Sequence, residues 1–432
     1  MISCFASLVR ANALSFLFAT SGSAHGAASL RTKNVARAGP GSRGRVAESG
    51  MASAIPQEQL AEIVRDARAR TGVPAVAAGL LVGERMELAA DGPVETDTRF
   101  RIASITKWFT ASLAALLLDL DAPSDSGGAS VGRLLSHTAD LRPNSRELLP
   151  EPCRGLWSYS NAGFVLAGRE CAAAAGTSFS EAVRKRLLEP LGLERTSFEE
   201  PADAAPGYVQ DGATGHRPAP EVVYPEPRRA AGGLWSTVGD LLQFAAHQLG
   251  GSGPLSDAQR NAVQAPRADA LGGRYCLGCW SRQLAGGRRA FDHEGSVGGY
   301  QSLLLLVPEE AAALAVLTNS WRGNGLIRRV VQELGLVPAP REEAGDGRIE
   351  PGRYALDDAV AVVEDRGGRW RVTESEVDPL TGLLIERPEY AVDALGGGVY
   401  GFAGGLLMGH RLDFPREGVA RVGWTALPAA GL

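Results

Sequence analysis

Residues 100–109 read Phe-Arg-Ile-Ala-Ser-Ile-Thr-Lys-Trp-Phe. An extended start, Phe100 to Ala103, runs into an apolar stretch from Trp108 to Leu120 whose length and composition predict a buried helix. Ser104 then stands where strand turns into helix, with Lys107 three positions on. Positions i and i+3 share a helix face, so the amine can reach the hydroxyl. A helix start also aims backbone N–H groups, and the positive end of the helix dipole, at any oxyanion forming on Ser104. Lysine serves as a base when burial depresses its pKa, whereas arginine stays protonated. A Ser-x-x-Lys match fixes only two residues, and a capping serine beside a solvated lysine is the plain alternative. The apolar residues after Lys107 argue against a casual surface charge.

Basic-residue usage singles out the same position. The 432-residue chain has 44 basic residues, and lysine occurs only at Lys33, Lys107 and Lys185; the other 41 are arginine. A GC-rich coding bias accounts for such a skew, which makes each remaining lysine informative. Only Lys107 has a serine three positions before it; Lys33 has Leu30 and Lys185 has Ala182.

Two further segments carry reactive side chains. Trp157-Ser158-Tyr159-Ser160-Asn161 precedes a predicted helix. A tyrosine and an asparagine two apart in a tight loop can project the same way. The phenol could then shuttle a proton, and the amide could orient Lys107 or hold a substrate carbonyl. Taken alone, the segment is an N-cap beside a packed tyrosine. Asp292-His293-Glu294-Gly295-Ser296 is read as a strand end in a glycine-rich turn. There His293 would line a slot, and Gly295 would let a substrate backbone approach the strand.

In this order the three segments resemble the serine β-lactamase and penicillin-binding-protein superfamily, in its class C β-lactamase-like, D-alanyl-D-alanine carboxypeptidase-like branch. Ser104-Ile-Thr-Lys107 matches the first motif and Tyr159-Ser-Asn161 the second. His293-Glu-Gly295 stands where many β-lactamases carry Lys-Thr-Gly. Leu134-Leu-Ser-His-Thr-Ala-Asp-Leu141 and Ala231-Gly-Gly-Leu-Trp-Ser-Thr237 agree as secondary landmarks, and the similarity spans roughly Val73 to Leu317. The resemblance implies an α+β fold: an antiparallel sheet with helices on both faces, plus a helical subdomain. It implies acyl transfer through a covalent acyl-enzyme, with Ser104 as nucleophile and Lys107 and Tyr159 as coupled base and proton relay. Asn161, His293, Glu294 and Gly295 would meet the substrate, and the N–H groups of Ser104 and Ser296 would form the oxyanion hole. No metal or cofactor is expected.

The implied substrate is a small-molecule or peptide acyl compound, cleaved by an esterase, amidase or D-peptidase. Transfer to an amine or alcohol, as in a peptide-cyclising thioesterase, is the alternative, and a non-catalytic penicillin-type ligand binder is the third reading. Departures from the pattern matter. Only 55 residues separate Ser104 from Tyr159. The region from Asp119 to Gly132 therefore reads as abbreviated, the helical subdomain as trimmed and the cleft as open. Glu294 would repel the carboxylate of a penicillin if it faced the cleft.

Elsewhere the pattern is mixed. Ile55–Arg70, Ala162–Ala175, Phe179–Leu188, Thr237–Leu249 and Leu326–Leu334 read as helices. Ala75–Val82 with Met86–Ala90 reads as a hairpin; Arg274–Gln283, Arg289–His293, Gln301–Val307 and Ala312–Leu317 read as successive antiparallel strands. Cys276-Leu-Gly-Cys279 lies within one of these strands and lacks a second ligand pair, so a structural role is expected. Five scattered cysteines do not make a disulfide framework.

The expected organisation is a leader or N-terminal extension at 1–50, a catalytic domain at 51–337, a linker at 338–347 and a small β-domain at 348–432. That last part resembles the lipocalin-like domain appended to some members of the superfamily. It has no lysine, and His410 is its one histidine, which places the chemistry upstream. A net charge of -5 excludes nucleic-acid binding by bulk positive charge. No run reaches the roughly 18 apolar residues of a membrane-spanning helix. The first 50 residues hold six basic residues against the single acid Glu48, but Arg10 is the only charge before the apolar Ala11–Thr20. Translation from Met51 is the preferred reading and implies a cytoplasmic protein; a functional leader would imply secretion. Oligomeric state is not encoded in any feature of the sequence.

Overall fold

The computed structural model describes residues 55–430 apart from 126–127, 212–214, 271–272, 340–348, 358, 368, 378–379, 381, 383, 387–389, 397–398 and 403–409. The expected leader or N-terminal extension at 1–50, the Met51 start and nearly all of the expected 338–347 linker lie outside the described residues.

Helix α1 (Gln57–Thr71) buries Leu60, Val64 and Ala67 along one stripe and stops at Gly72, whose φ of 67° forms a left-handed cap. The hairpin β1 (Val76–Val82) and β2 (Arg85–Asp91) follows as expected. A short β3 (Phe100–Arg101) leads through one tight turn, Ala103–Ile105, into α2 (Thr106–Leu117). This buried helix ends three residues before the expected Leu120, because Leu118 is extended. Then come α3 (Val131–Leu135), α4 (Asn161–Ala175) and α5 (Phe179–Val183), the last continuing as a wider-wound turn over Arg184–Leu188. A hairpin, β4 (Tyr208–Asp211) and β5 (Gly215–Pro218), precedes α6 (Arg229–Gly232), β6 (Trp235–Ser236) and α7 (Val238–Gln248). Helix α8 (Asp257–Gln264) escapes sequence reading because only Arg260 and Val263 are buried; a Ser256–Gln259 capping box starts it.

Strands β7 (Ala268–Ala270), β8 (Gly273–Tyr275), β9 (Trp280–Gln283), β10 (Arg289–Val297), β11 (Tyr300–Val307) and β12 (Ala312–Thr318) precede α9 (Gly323–Glu333). They join β1 and β2 in one antiparallel sheet of order β2-β1-β12-β11-β10-β9-β8-β7. One face packs Leu304, Leu306, Ala313 and Leu317 against Trp108, Phe109 and Phe244. The other packs Leu303, Leu305, Leu314 and Val316 against Leu60 and Val64 of α1 and Ile327 and Val330 of α9. Burial on both faces makes β11 and β12 continuous apolar runs rather than alternating ones. The result is the expected α+β layering.

Two local expectations fail. The run Arg274–Gln283 is not one strand: Cys276–Cys279 is the turn between β8 and β9, closed by Cys276 N–H donating to the Cys279 carbonyl at 2.8 Å. Gly278, at φ 74°, lies so near the Lys107 carbonyl that a Cβ would come within 2.4 Å of it. The turn is apolar because it is buried, and both cysteines are buried free thiols. His293 to Ser296 likewise sit inside β10 and not in a turn; the turn is Gly298-Gly299, with φ 47° and 84°.

Beyond the linker, β13 (Gly352–Leu356), β14 (Ala359–Asp365), β15 (Trp370–Val377), β16 (Leu384–Glu386), β17 (Tyr390–Gly396), β18 (Val399–Phe402), β19 (His410–Arg416), β20 (Val419–Val422) and β21 (Thr425–Pro428) form a second antiparallel sheet. Ala429 bridges back to Tyr354, so its first and last strands meet. Its core includes Leu149 and Cys153 from the preceding part of the chain. The Arg416 guanidinium donates to the Pro152 and Arg154 carbonyls, and Arg142 pairs with Asp357. Among the described residues no helix is long and apolar enough to cross a membrane.

Candidate active site

Ser104 sits in the tight turn between β3 and α2, directly after Ala103, whose φ of 45° is unusual for a residue with a side chain. Ile102 holds this turn from both sides. Its N–H donates to the Leu234 carbonyl, and its carbonyl accepts from Ser302 Oγ at 3.0 Å. A Cβ on Gly295 would fall 2.2 Å from both the Ile102 carbonyl and Ser302 Oγ. Gly295 therefore admits the protein's own backbone, drawing β10 against the Ser104 turn, where sequence reading had assigned it to a substrate backbone.

Lys107, in the first turn of α2, is fully buried. Its Nζ lies 3.1 Å from Ser104 Oγ, 2.8 Å from Asn161 Oδ1 and 2.5 Å from the Ala231 carbonyl. It also stands 4.9 Å from the centre of the Tyr159 ring. Burial holds its pKa well below the usual lysine value of 10.5. A neutral amine has two N–H bonds and one lone pair. The Asn161 and Ala231 oxygens can only accept, so an amine that has lost its proton would give them its two hydrogens and turn its lone pair to the Ser104 hydroxyl.

Asn161 opens α4, capped by Ser160 Oγ, and its Nδ2 donates to Asn144 Oδ1 at 2.9 Å. Tyr159 is buried, and burial pushes its phenol pKa up while the facing Ser104 side chain pulls it down. Behind it, Tyr159 N–H donates to the Trp424 carbonyl at 2.8 Å, and the two rings lie 5.5 Å apart. Ala426 N–H donates to Ser158 Oγ. The second sheet thus supports the loop that carries Tyr159.

Sequence reading missed the group beneath this loop. His137, with φ 61°, packs 4.1 Å from the Tyr159 ring and accepts from Ser160 N–H through Nδ1. Its one sequence signal is its place in the Leu134–Leu141 landmark. His293 is fully buried; its Nδ1–H donates to the Glu294 carbonyl, leaving Nε2 to accept from the Tyr275 hydroxyl at 3.1 Å. Burial, with Lys107 nearby, lowers its pKa to about 3, so the ring is neutral. Beside it Asp292 forms a buried ion pair with Arg282 at 2.9 Å, and that guanidinium covers the Trp280 ring.

The open part of the site is a cleft lined by Ser104, Asn144, Asn161, Tyr224, Arg228, Ala231, Ser296, Val297 and Leu380. The structure thus brings Ser104, Lys107, Tyr159 and Asn161 together, with Ser296 on the same cleft. His293 lies behind Tyr159. Glu294 pairs in register with Leu303, whose side chain belongs to the face packed on α1 and α9, so the Glu294 side chain points away from Ser104. Among the described residues no cluster of three or more His, Cys, Asp or Glu side chains is arranged to hold a metal. The arrangement can activate a serine hydroxyl, receive its proton, and pass a proton onward through a phenol.

Comparison with known proteins gives the family and the fold. A family model described as Beta-lactamase matches residues 60–333. Penicillin-binding protein 4 of Amycolatopsis lactamdurans is 27% identical over 318 residues, covering 60% of this chain and 83% of that protein. Among solved structures, SurE has a TM-score of 0.66 at 23% identity over 86% of this chain and 99% of its own; it has also been solved with D-Leu. A D-stereospecific amidohydrolase from Streptomyces sp. has a TM-score of 0.56 at 23% identity, covering 64% of this chain and 98% of that one.

Proposed function

The chain belongs to the beta-lactamase family of serine hydrolases, and we propose that it cleaves ester or amide bonds next to D-configured residues of peptide-type substrates, through an acyl-enzyme on Ser104. The observation that carries this reading is the set of contacts around the buried Lys107 Nζ, which stands 3.1 Å from Ser104 Oγ, is held by the Asn161 and Ala231 oxygens, and has its pKa lowered by burial. Lys107 takes the Ser104 proton as Oγ bonds to the substrate carbonyl carbon. The N–H groups of Ser104 and Ser296 hold the resulting oxyanion. Tyr159 hands a proton to the departing amine or alcohol as the carbonyl re-forms, leaving the acyl group on Oγ. Water then attacks in the reverse sequence and releases the acid. Asn161 keeps Lys107 aligned. The preference for D-residues draws on the D-stereospecific amidohydrolase and on the SurE structure with D-Leu.

Labelling with an uncharged fluorophosphonate tests the nucleophile: wild type should be modified at Ser104, and Ser104→Ala should take up nothing. Folded wild-type protein that stays unlabelled would refute the acyl-enzyme. A panel of paired D- and L-aminoacyl p-nitroanilides tests the substrate class, and equal turnover of both series would refute the D-preference.

A second reading, transfer of the acyl group to an amine, is favoured by the apolar wall that Val222, Val297 and Leu380 build beside Ala103 and Ser104. Such a wall disfavours water at the acyl-enzyme. Mass analysis of products from a peptidyl thioester separates the two, since cyclisation gives a product lighter than the free acid by one water.

A further inference from the structure

We propose that His137 is a positioning residue for acyl transfer: it holds Tyr159 by the main chain on both sides and by the ring, and so fixes where the phenol delivers its proton. The proposal rests on the acyl-enzyme reading above, in which Tyr159 is the proton donor, and adds the residue that aims the donor. The His137 carbonyl accepts from Ser158 N–H at 3.4 Å, and its Nδ1 accepts from Ser160 N–H at 3.0 Å. Its ring centre lies 4.1 Å from that of Tyr159. One residue thus holds the chain just before Tyr159, just after it, and the side chain between. One position earlier, the Ser136 carbonyl accepts from Trp157 Nε1 at 3.1 Å.

Two local costs mark His137 as more than filler. Helix α3 ends at Leu135, and Thr138 N–H returns to the Arg133 carbonyl at 3.0 Å, which makes His137 the left-handed residue of a Schellman turn. Glycine or asparagine usually fills that place, because a Cβ is crowded at a φ of 61°. The second cost lies at the other ring nitrogen. Nδ1 accepts from a main-chain N–H, so the hydrogen of the neutral ring sits on Nε2. Nε2 is buried and, among the described residues, has no hydrogen-bond partner. A leucine or phenylalanine would fill the same space without burying an unpaired N–H. Packing alone explains neither cost; the need for an acceptor at Nδ1 explains both.

The surroundings keep the ring in place and neutral. His137 is buried, with the Tyr275 and Phe164 rings 4.6 and 5.2 Å away. Burial, with Lys107 and His293 nearby, holds its pKa well below the ordinary 6.5, so Nδ1 stays an acceptor. The grip on Ser160 also steadies the next residue, Asn161, whose Oδ1 lies 2.8 Å from Lys107 Nζ. Proton delivery is sensitive to such placement, since an error of about 1 Å costs about 10²-fold. As the bond to the leaving group breaks, its electron pair stays on the leaving oxygen or nitrogen, which takes the phenol proton. The phenolate recovers a proton from the Lys107 ammonium, formed when Ser104 was deprotonated.

Two esters of one N-acyl-D-amino acid test the proposal on the full chain. p-Nitrophenol leaves as a stable anion and needs little help, whereas ethanol must be protonated as it departs. His137→Phe keeps a ring and removes the acceptor. It should lower kcat/KM about 10- to 100-fold on the ethyl ester, and several-fold less on the p-nitrophenyl ester. His137→Asn offers an acceptor oxygen near the place of Nδ1 and tolerates the left-handed backbone, so it should recover part of the loss. Tyr159→Phe should show the same dependence on the leaving group, more strongly. Equal losses on both esters in His137→Phe, or an asparagine variant no better than phenylalanine, would overturn the proposal and leave the relay standing. Equal losses in Tyr159→Phe would instead remove the relay, and the proposal with it. Fluorophosphonate labelling of Ser104 checks that each variant is folded. If His137→Phe is not, His137→Gln, which also lacks an acceptor at the Nδ1 position, takes its place in the comparison.

Discussion

Lys107 is the residue on which the proposed chemistry turns, and arginine at the same position makes the strictest test. Lys107→Arg keeps a basic side chain that cannot lose its proton, so turnover should fall by about 10²–10⁴, the usual worth of a general base. An arginine variant with most of its activity would remove Lys107 from that role. The rate should rise with pH as Lys107 deprotonates, with a midpoint below the usual lysine value of 10.5 because burial favours the neutral amine. His293 has a different consequence. Its folded pKa of about 3 lies below the ordinary 6.5, so between those values the unfolded chain binds more protons. Stability should therefore drop as pH falls from about 6.5 toward 3, and His293→Gln should flatten that part of a Tm-against-pH curve. The lysine's importance was legible because arginine fills nearly every other basic position. The Ala231 carbonyl was not legible, since any residue supplies a main-chain acceptor. Nor were the burial and neutrality of His293, which come from the fold packing over the ring and from Lys107 nearby.

At the scale of elements, β10 carries the strongest constraints. Gly295→Ala places a methyl group on the Ile102 carbonyl and Ser302 Oγ, so β10 must move away from the Ser104 turn. Turnover should fall much more than stability does, measured by kcat/KM beside Tm. Asp292→Asn removes one half of a buried ion pair and should cost about 3–5 kcal/mol in urea unfolding, more than replacing both Asp292 and Arg282 with apolar residues. The same strand shows where sequence reading loses its grip. Treated as a turn, residues 292–296 seem able to aim every side chain at the cleft. Treated as a strand, their period of two sends His293 and Glu294 to opposite faces. The glycines at 298 and 299 suggested the turn a few residues too early. The Cys276–Cys279 run failed for a related reason: apolar composition reports burial, and a buried turn has the same composition as a strand. Long, strongly patterned segments such as α4 and the β1–β2 hairpin were read nearly to the residue.

The two sheets meet at Tyr159. Trp424 lies against its ring and accepts from its N–H, so Trp424→Ala should lower kcat about 10- to 100-fold through a misplaced phenol. Fluorophosphonate labelling should slow less, since that reagent needs no proton delivered to an amine. Unchanged kcat would show that the ring contact does not set the phenol's position. The sequence marked the 348–432 region as a separate β-rich part, but not this contact, because long-range pairings leave no local pattern. Its consequence reaches into biosynthesis. A chain is made in one direction, and 320 residues separate Ser104 from Trp424. Ser104, the proposed nucleophile, therefore leaves the ribosome long before the strand pair that seats Tyr159, the proposed proton relay. On the proposed mechanism a growing chain carries its serine and lysine without a finished relay, and turnover should wait for the completed fold.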